Sequence, residues 1–297
     1  MYLLVTRVRD EEDYLPELFQ SVFSQTVRPN LWVIVDHGSK DDSAAIIARA
    51  IEGKNWIKVV HMEAAGTYDL LCHARPLKAG FEAAVNHAIR NGIPYHYLGI
   101  LDADIVPEEA YFEKLIQHLK NSPGLGIVSG QLFVEAEDGQ RAEGAANVPP
   151  RGGCRLYRRE CFEDIGGTMP ESAIWDTETD VLSELRGWQI AMFTGARGIH
   201  KRVTYSRKGK LRGCLRLGKC YYYANYHPVY VLITGLYFTS KLPFITGPLF
   251  LFAYLKSWLQ RSEQSANPVI RECFWKSPER LKKKAKAKII SILGRRV

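Results

Sequence analysis

Hydrophobic positions in the N-terminal two thirds of the chain switch between two spacings. Tyr2–Thr6, Leu31–Val35, Ile57–His61 and Tyr97–Leu101 are short apolar runs with the length and content of buried strands. The segments between them carry helical spacing. Asp10–Thr26 places Leu15, Leu18, Phe19, Val22 and Phe23 on one face, and a helix opened by Asp41 and Asp42 presents Ala45, Ile46, Ala48 and Ile51. Lys78–Asn91 is rich in alanine (Ala79, Ala83, Ala84, Ala88), the composition of a helix that packs closely. Strands alternating with helices in this way predict an α/β domain, with a parallel sheet covered on both faces. Further on, Gly126–Phe133 predicts a strand, and 141–153 a loop rich in Gly, Ala and Pro. Cys154–Ile165 predicts a strand end and a short helix, closed by Gly166-Gly167. Thr177–Leu185 is a helix with acids in its first turns and Gly187 as its stop, followed by a strand over Gln189–Phe193.

Ligands of such sheets sit at the carboxyl ends of strands. Thr6-Arg7, Asp36-His37-Gly38-Ser39 and Leu101-Asp102-Ala103-Asp104 all fall at predicted strand ends. Asp102 and Asp104, one residue apart in extended chain, would point the same way, so a cation or solvent must offset their repulsion. Mg²⁺ and Mn²⁺ take such oxygen ligands, with phosphate completing the shell. The plainer alternative is a solvated loop whose acids assist a helix opening at Pro107-Glu108-Glu109. Asp36 has its own plain reading as a turn residue, and Arg7 as a surface charge.

Charge divides the chain. Residues 1–184 hold 17 Lys+Arg against 29 Asp+Glu, residues 185–262 hold 13 basic residues and no acid, and residues 263–297 add 10 basic against 3 acidic. A chain polarised this way usually meets a polyanion. The six cysteines show neither Cys-x-x-Cys nor zinc spacing, which points to reduced thiols in the cytosol. Met1–Val5 runs straight into a strand rather than a signal peptide. In the tail, Leu242–Leu255 is apolar but shorter than the roughly 20 residues a spanning helix needs. Together with 280–296, where lysines adjoin Ile289, Ile290, Ile292 and Leu293, it suggests helices lying on an anionic membrane. Nothing resembles a groove-reading motif, so nucleic acid is not expected. No Gly-x-Gly-x-x-Gly follows the first strand, which disfavours a dehydrogenase.

The ordered set Arg9-Asp10-Glu11-Glu12, Val35-Asp36-His37-Gly38-Ser39-Lys40-Asp41, Lys78-Ala79-Gly80 through Asn86, and Leu101-Asp102-Ala103-Asp104 resembles the family 2 glycosyltransferases over roughly residues 1–200. His37 stands where that family has a second Asp. The resemblance implies an inverting enzyme with the GT-A fold, a Rossmann-like mixed sheet flanked by helices. It would use Mn²⁺ or Mg²⁺ and a nucleotide-sugar donor. It implies Asp104, with Asp102 and His200, as metal ligands, Asp102 also facing the ribose. Asp36 would bind base or ribose, Thr6 and Arg7 would flank the nucleoside, and Lys78 would join the donor site. Arg202, with Arg207, Lys208 and Arg212, would close a basic lid over the diphosphate.

Inversion needs a base for the acceptor hydroxyl. The family's spacing implies Asp176, eleven residues before Gly187-Trp188, with Glu178 and Asp180 as competitors and Trp175 as a stacking ring or a core indole. The expected organisation is a catalytic domain over 1–205 and a basic, apolar, helical region over 206–297. The expected activity is transfer to a lipid-linked or growing glycan at the inner face of the cell membrane. A polyprenyl-phosphate glycosyltransferase and a non-catalytic membrane-bound scaffold are the alternatives.

Overall fold

A computed structural model describes residues 1–63, 70–71, 73–136, 139–142, 149–202, 209–240 and 243–276. The chain divides into one unit of Met1–Glu171 with Trp175–Val203 and another of Ser172–Ile174 with Thr204–Val297.

The first unit alternates as expected at its start: β1 (Tyr2–Val8), α1 (Leu15–Phe23), β2 (Leu31–Asp36), α2 (Ser43–Ile51), β3 (Ile57–His61), α3 (Ala74–Arg90) and β4 (Tyr97–Leu101). It continues with β5 (Ile105–Pro107), α4 (Tyr111–Asn121), β6 (Leu125–Ala136), β7 (Gly139–Ala142), β8 (Cys154–Arg158), α5 (Arg159–Asp164), α6 (Trp175–Leu185) and β9 (Gln189–His200). The strands form one sheet in the order β3-β2-β1-β4-β8-β6-β9-β5, with β7 on β6. The β3-β2-β1-β4 half is parallel. Beyond it β8 runs antiparallel to both β4 and β6, β9 lies parallel to β6, and β5 lies antiparallel to β9. The sheet is therefore mixed, as the GT-A resemblance implies, and only its first half is the parallel sheet that the alternation predicts.

Burial on both faces explains why the early strands read as unbroken apolar runs. Tyr2, Leu4, Trp32 and Ile34 face a core built with α1, α2 and α4. Leu3, Val5, Val33 and Val35 face the opposite core, with Leu77 and Phe81 of α3 and Phe162 of α5. Alanine and glycine let α3 lie close to the sheet. A Cβ on Gly80 would come 2.5 Å from Val5 Cγ1 and 2.8 Å from Val35 Cγ2, so a larger residue would push the helix off β1 and β2.

Several boundaries differ from expectation for identifiable reasons. The Asp10–Thr26 helix begins only at Leu15, because the acids before it are spent on the neighbouring loop. Glu11 N–H donates to Ser43 Oγ (2.9 Å), Glu12 N–H to Asp41 Oδ2 (3.1 Å), and Glu12 Oε2 accepts from Asp42 N–H (2.8 Å). The helix expected at Pro107 starts at Tyr111, since Ile105–Pro107 is drawn into pairing with Gly198–His200. The last strand runs on to His200 because β6 and β5 hold its far end.

The second unit contains α7 (Lys210–Tyr223), α8 (Pro228–Thr239), α9 (Thr246–Leu259) and α10 (Pro268–Lys276). Its core is aromatic: Tyr226 stacks on Tyr221 (4.1 Å between centroids) and on Phe274 (4.3 Å), and Phe250 meets Tyr221 edge-on at 5.0 Å. Among the described residues no helix is long and apolar enough to cross a membrane. The expectations for Arg207, Lys208 and the stretch 280–296 fall outside the described residues.

Candidate active site

The carboxyl ends of β1 and β4 lie side by side, and each delivers a charge. Arg7, next to last in β1, grips Asp102 just past β4: its Nε donates to Oδ1 and its Nη2 to Oδ2, each at 3.1 Å. The remaining amine of the fork donates to the His73 carbonyl at 2.8 Å, and the guanidinium lies 5.9 Å from the Trp175 ring centroid. Burial pushes the Asp102 carboxyl up, Arg7 opposes this, and Asp104 adds to it, leaving a net rise.

Asp104 is reached from the end of β9. Arg202 Nε donates to its Oδ2 at 2.9 Å, His200 Nε2 lies 3.5 Å from the same oxygen, and the Lys201 N–H donates to its backbone carbonyl. Arg202 also donates to Glu11 Oε2 at 2.5 Å and stacks over Tyr14. Burial opposes ionisation of Asp104, but the His200 hydrogen bond and the charges of His200 and Arg202 outweigh it and hold the pKa down at about 2. His200 is the last residue of β9 rather than one lying beyond the strand, which is why it points at this carboxylate.

A glycine pair sets the other wall. Asp102 N–H donates to the Gly153 carbonyl at 2.7 Å. A Cβ on Gly153 would fall 2.6 Å from Asp102 Oδ2, and one on Gly152 would fall 3.0 Å from Asp176 Oδ2. Two successive residues without side chains thus let both carboxylates close on one stretch of backbone. Asp176, second residue of α6, is half-buried, and its Oδ1 accepts from the Thr177 N–H at 2.8 Å. Glu178 and Asp180 are buried. Asp180 is held by Arg155 Nη1 at 2.9 Å. Burial pushes its carboxyl up to about 6, with Arg155 opposing and Asp176 adding. Trp175 is a core indole, with Arg155 at 5.7 Å on one side and Arg7 on the other.

Other expected residues lie differently. Thr6 does not offer its side chain to a ligand. It is fully buried, and its Oγ1 accepts from Trp32 Nε1 at 2.9 Å, because even-numbered positions of β1 face the α1/α4 core. Asp36 closes the turn after β2, accepting from Ser39 N–H (3.0 Å) and Ser39 Oγ (2.7 Å) on Oδ1, while Oδ2 faces His61 Nδ1 at 3.7 Å. Lys78 approaches Glu171 at 3.8 Å beside Arg75. Arg212 is an exposed residue of α7.

Sequence reasoning missed Arg155 and Gly152-Gly153, and it quoted Glu11 as part of the Asp10-Glu11-Glu12 motif without giving it a role. Of the two missed features only the glycine pair carried a signal, as two adjacent residues without side chains just before a strand.

The donor atoms fit a hard divalent cation in one particular way. Both oxygens of Asp102 are committed to Arg7, whereas Asp104 meets Arg202 and His200 through Oδ2 alone. Among the described residues no three His, Cys, Asp or Glu side chains form a cage by themselves. One carboxylate plus one imidazole suits an ion whose remaining positions are filled by substrate phosphate and water.

The profile of glycosyl transferase family 2 matches residues 4–174. No curated protein sequence matches the chain. Among solved structures, a mannosyltransferase from Pyrobaculum calidifontis, PcManGT, in complex with GDP-Man and Mn²⁺ superposes with a TM-score of 0.55 at 14% identity, over 98% of this chain and 85% of that one. The 1–349 portion of S. aureus TarS in complex with UDP-GlcNAc gives 0.53 at 13% identity, over 98% and 88%. GalNAc-T7 with UDP, GalNAc and Mn²⁺ gives 0.55 at 12% identity, over 98% and 57%. At such identities the likeness is one of fold.

Proposed function

From the premise that the chain belongs to glycosyl transferase family 2, we propose that it is a metal-dependent inverting transferase. It would move a sugar from a nucleotide-sugar donor to a lipid-linked or growing glycan at the cytoplasmic face of a membrane. The observation that carries this reading is the meeting of Arg7–Asp102 and Asp176 on the Gly152-Gly153 backbone, with Asp104–His200–Arg202 two residues beyond Asp102.

Asp104 and His200 would hold Mn²⁺ or Mg²⁺, and Asp102 would keep Arg7 aimed at the donor rather than ligate. When bound, the ion supplies positive charge against the developing negative charge of the diphosphate leaving group. Arg7, held by Asp102, and Arg202, held by Asp104, would add fixed cations to that stabilisation. Asp36 would meet the nucleoside through Oδ2, the oxygen not used by Ser39. Asp176 is the acceptor's base. Its carboxylate takes the hydroxyl proton while that oxygen forms a bond to the anomeric carbon and the bond from carbon to diphosphate breaks on the opposite side, inverting the centre. Glu178 is buried and Asp180 is tied to Arg155, so neither meets a hydroxyl.

The test is turnover of UDP-, GDP- and dTDP-sugars with Mn²⁺. Asp104→Ala and Asp176→Asn should each lower kcat at least about a thousandfold at a temperature where each variant is fully folded, on the scale of losing a principal charge or base contribution. A fully active Asp104→Ala sinks the metal assignment. Label that enters an organic phase with polyprenyl phosphate alone identifies the lipid phosphate as acceptor. Absence of nucleotide binding with metal present returns the scaffold reading.

A further inference from the structure

The second unit leaves an unusual amount of apolar surface in water. Among the described residues fifteen large apolar side chains are exposed, and twelve of them lie in this unit, so the exposure is a local feature rather than ordinary surface scatter. It follows the α8–α9 hairpin. Leu232 and Leu236 stand one turn apart on α8, Phe244 and Ile245 sit in the connection, and Phe252 and Leu255 stand one turn apart on α9. Each is more than half exposed.

Packing keeps these residues outward. The inner side of α8 buries Tyr230, Val231 and Thr234, and that of α9 buries Phe250, Ala253 and Tyr254. The helices touch through glycine: a Cβ on Gly235 would fall 2.5 Å from Leu251 Cγ, and one on Gly247 1.9 Å from Thr239 Oγ1. Rotating either helix to hide its outer stripe would force bulk into those contacts.

Length and charge identify the occupant. The helices have 12 and 14 residues, too short to span a bilayer, which needs about 20, but long enough to lie along its surface. Within this unit, residues 204 to 262 hold nine basic residues and no acidic one. A second copy docked by the same face would bring like charges together, whereas acidic headgroups complement them. Lys256, exposed beside Leu255, can bury its stem and keep its ammonium at headgroup level.

We propose that the outer face of α8 and α9, with Phe244 and Ile245, seats in the headgroup region of an anionic lipid bilayer and holds the attached catalytic unit there. This deepens the membrane part of the proposed function and is independent of its chemistry, because lipid binding is read without donor or metal. In flotation assays the full chain should rise with phosphatidylglycerol vesicles and far less with phosphatidylcholine vesicles, and high salt should weaken the binding. Leu232→Glu with Phe252→Glu should lower vesicle affinity at least about a hundredfold, the equivalent of two apolar side chains no longer buried. Its melting temperature and its donor hydrolysis in detergent-free solution should be unchanged. Equal binding of both vesicle types, or a double variant that floats like the wild type, overturns the proposal. A dimer in light scattering that the double variant converts to monomer also overturns it, by giving the face to a second copy.

Discussion

Two of the arginine–aspartate pairs within the catalytic unit, Arg7–Asp102 and Arg155–Asp180, differ in a way that separates what the molecule offers to a ligand from what it uses to hold shape. Arg7–Asp102 is bidentate, with side chains 15% and 21% exposed, at the open end of the sheet. Arg155–Asp180 has side chains 1% and 6% exposed, and its guanidinium is spoken for throughout. Besides Asp180, it donates to the carbonyls of Pro150 (2.5 Å) and Arg151 (3.0 Å), and reaches Thr179 Oγ1 and the Asp176 carbonyl at 3.4 Å. A charge that must meet substrate has to keep a solvent-facing side, and the first pair keeps one. The second instead joins the loop entering Gly152-Gly153 to the first turns of α6, so it sets where Asp176 stands.

Removing one partner from each pair should expose that difference most strongly. Arg155→Ala leaves Asp180 buried without its counter-charge and removes the donor to the Pro150 and Arg151 carbonyls, and should cost about 3–5 kcal/mol. That corresponds to a fall in Tm on the order of 10 °C for a unit of this size. Arg7→Ala, at a site open to water on one side, should cost less, about 1–3 kcal/mol. Thermal denaturation of the two variants side by side decides it. Similar losses would mean that the pairs do the same job.

The contrast also explains what could be read from residues alone. Strands β1 to β4 announce themselves because both faces are buried, and the carboxylates at their ends follow from the order of elements. Arg155 gives no such notice. One arginine between Cys154 and Leu156 looks like a solvent-facing position of a strand, and its partner is 25 residues away on a helix. Likewise Thr194–Gly198 has little strand character: Thr194–Ala196 bulge where the register with β6 shifts between Gly130 and Gln131, and Arg197–Gly198 then rejoin β6. Ile105–Pro107 ends in a proline and is strand only because β9 pairs with it. Asp10-Glu11-Glu12 resembles a helix opening but serves as a set of loop ties. Pairing partners distant in sequence decide each of these, and no local pattern encodes them.

A smaller effect tests the charges around Asp104. Its folded pKa of about 2 lies below the 3.8 of an ordinary aspartate. The folded state therefore binds the proton more weakly. The stabilisation is complete above the unfolded value and disappears as pH falls from 3.8 towards 2, amounting to about 2 kcal/mol. Urea midpoints in metal-free buffer, compared with Asp104→Asn, should show a gap at about pH 5 that narrows steadily by about pH 3. A constant gap would mean that Arg202 and His200 do not stabilise the ionised form, and would move Asp104 toward the inert behaviour of a sealed pair.

The finest distinction is geometric. Arg7→Lys keeps the charge at the open site but not the fork that meets both oxygens of Asp102 while donating to the His73 carbonyl. An ammonium on a flexible stem cannot reproduce that planar set. If Arg7 is aimed at a donor, the substitution should weaken nucleotide-sugar binding about tenfold, or roughly 1.4 kcal/mol. Stability should change by about 1 kcal/mol or less, because lysine keeps the positive charge opposite Asp102. Calorimetric titration alongside a melting curve separates the two quantities. Donor affinity that holds while stability falls would give Arg7–Asp102 the structural role of Arg155–Asp180. Affinity that falls while stability holds would mean that orientation as well as charge is used at the end of β1.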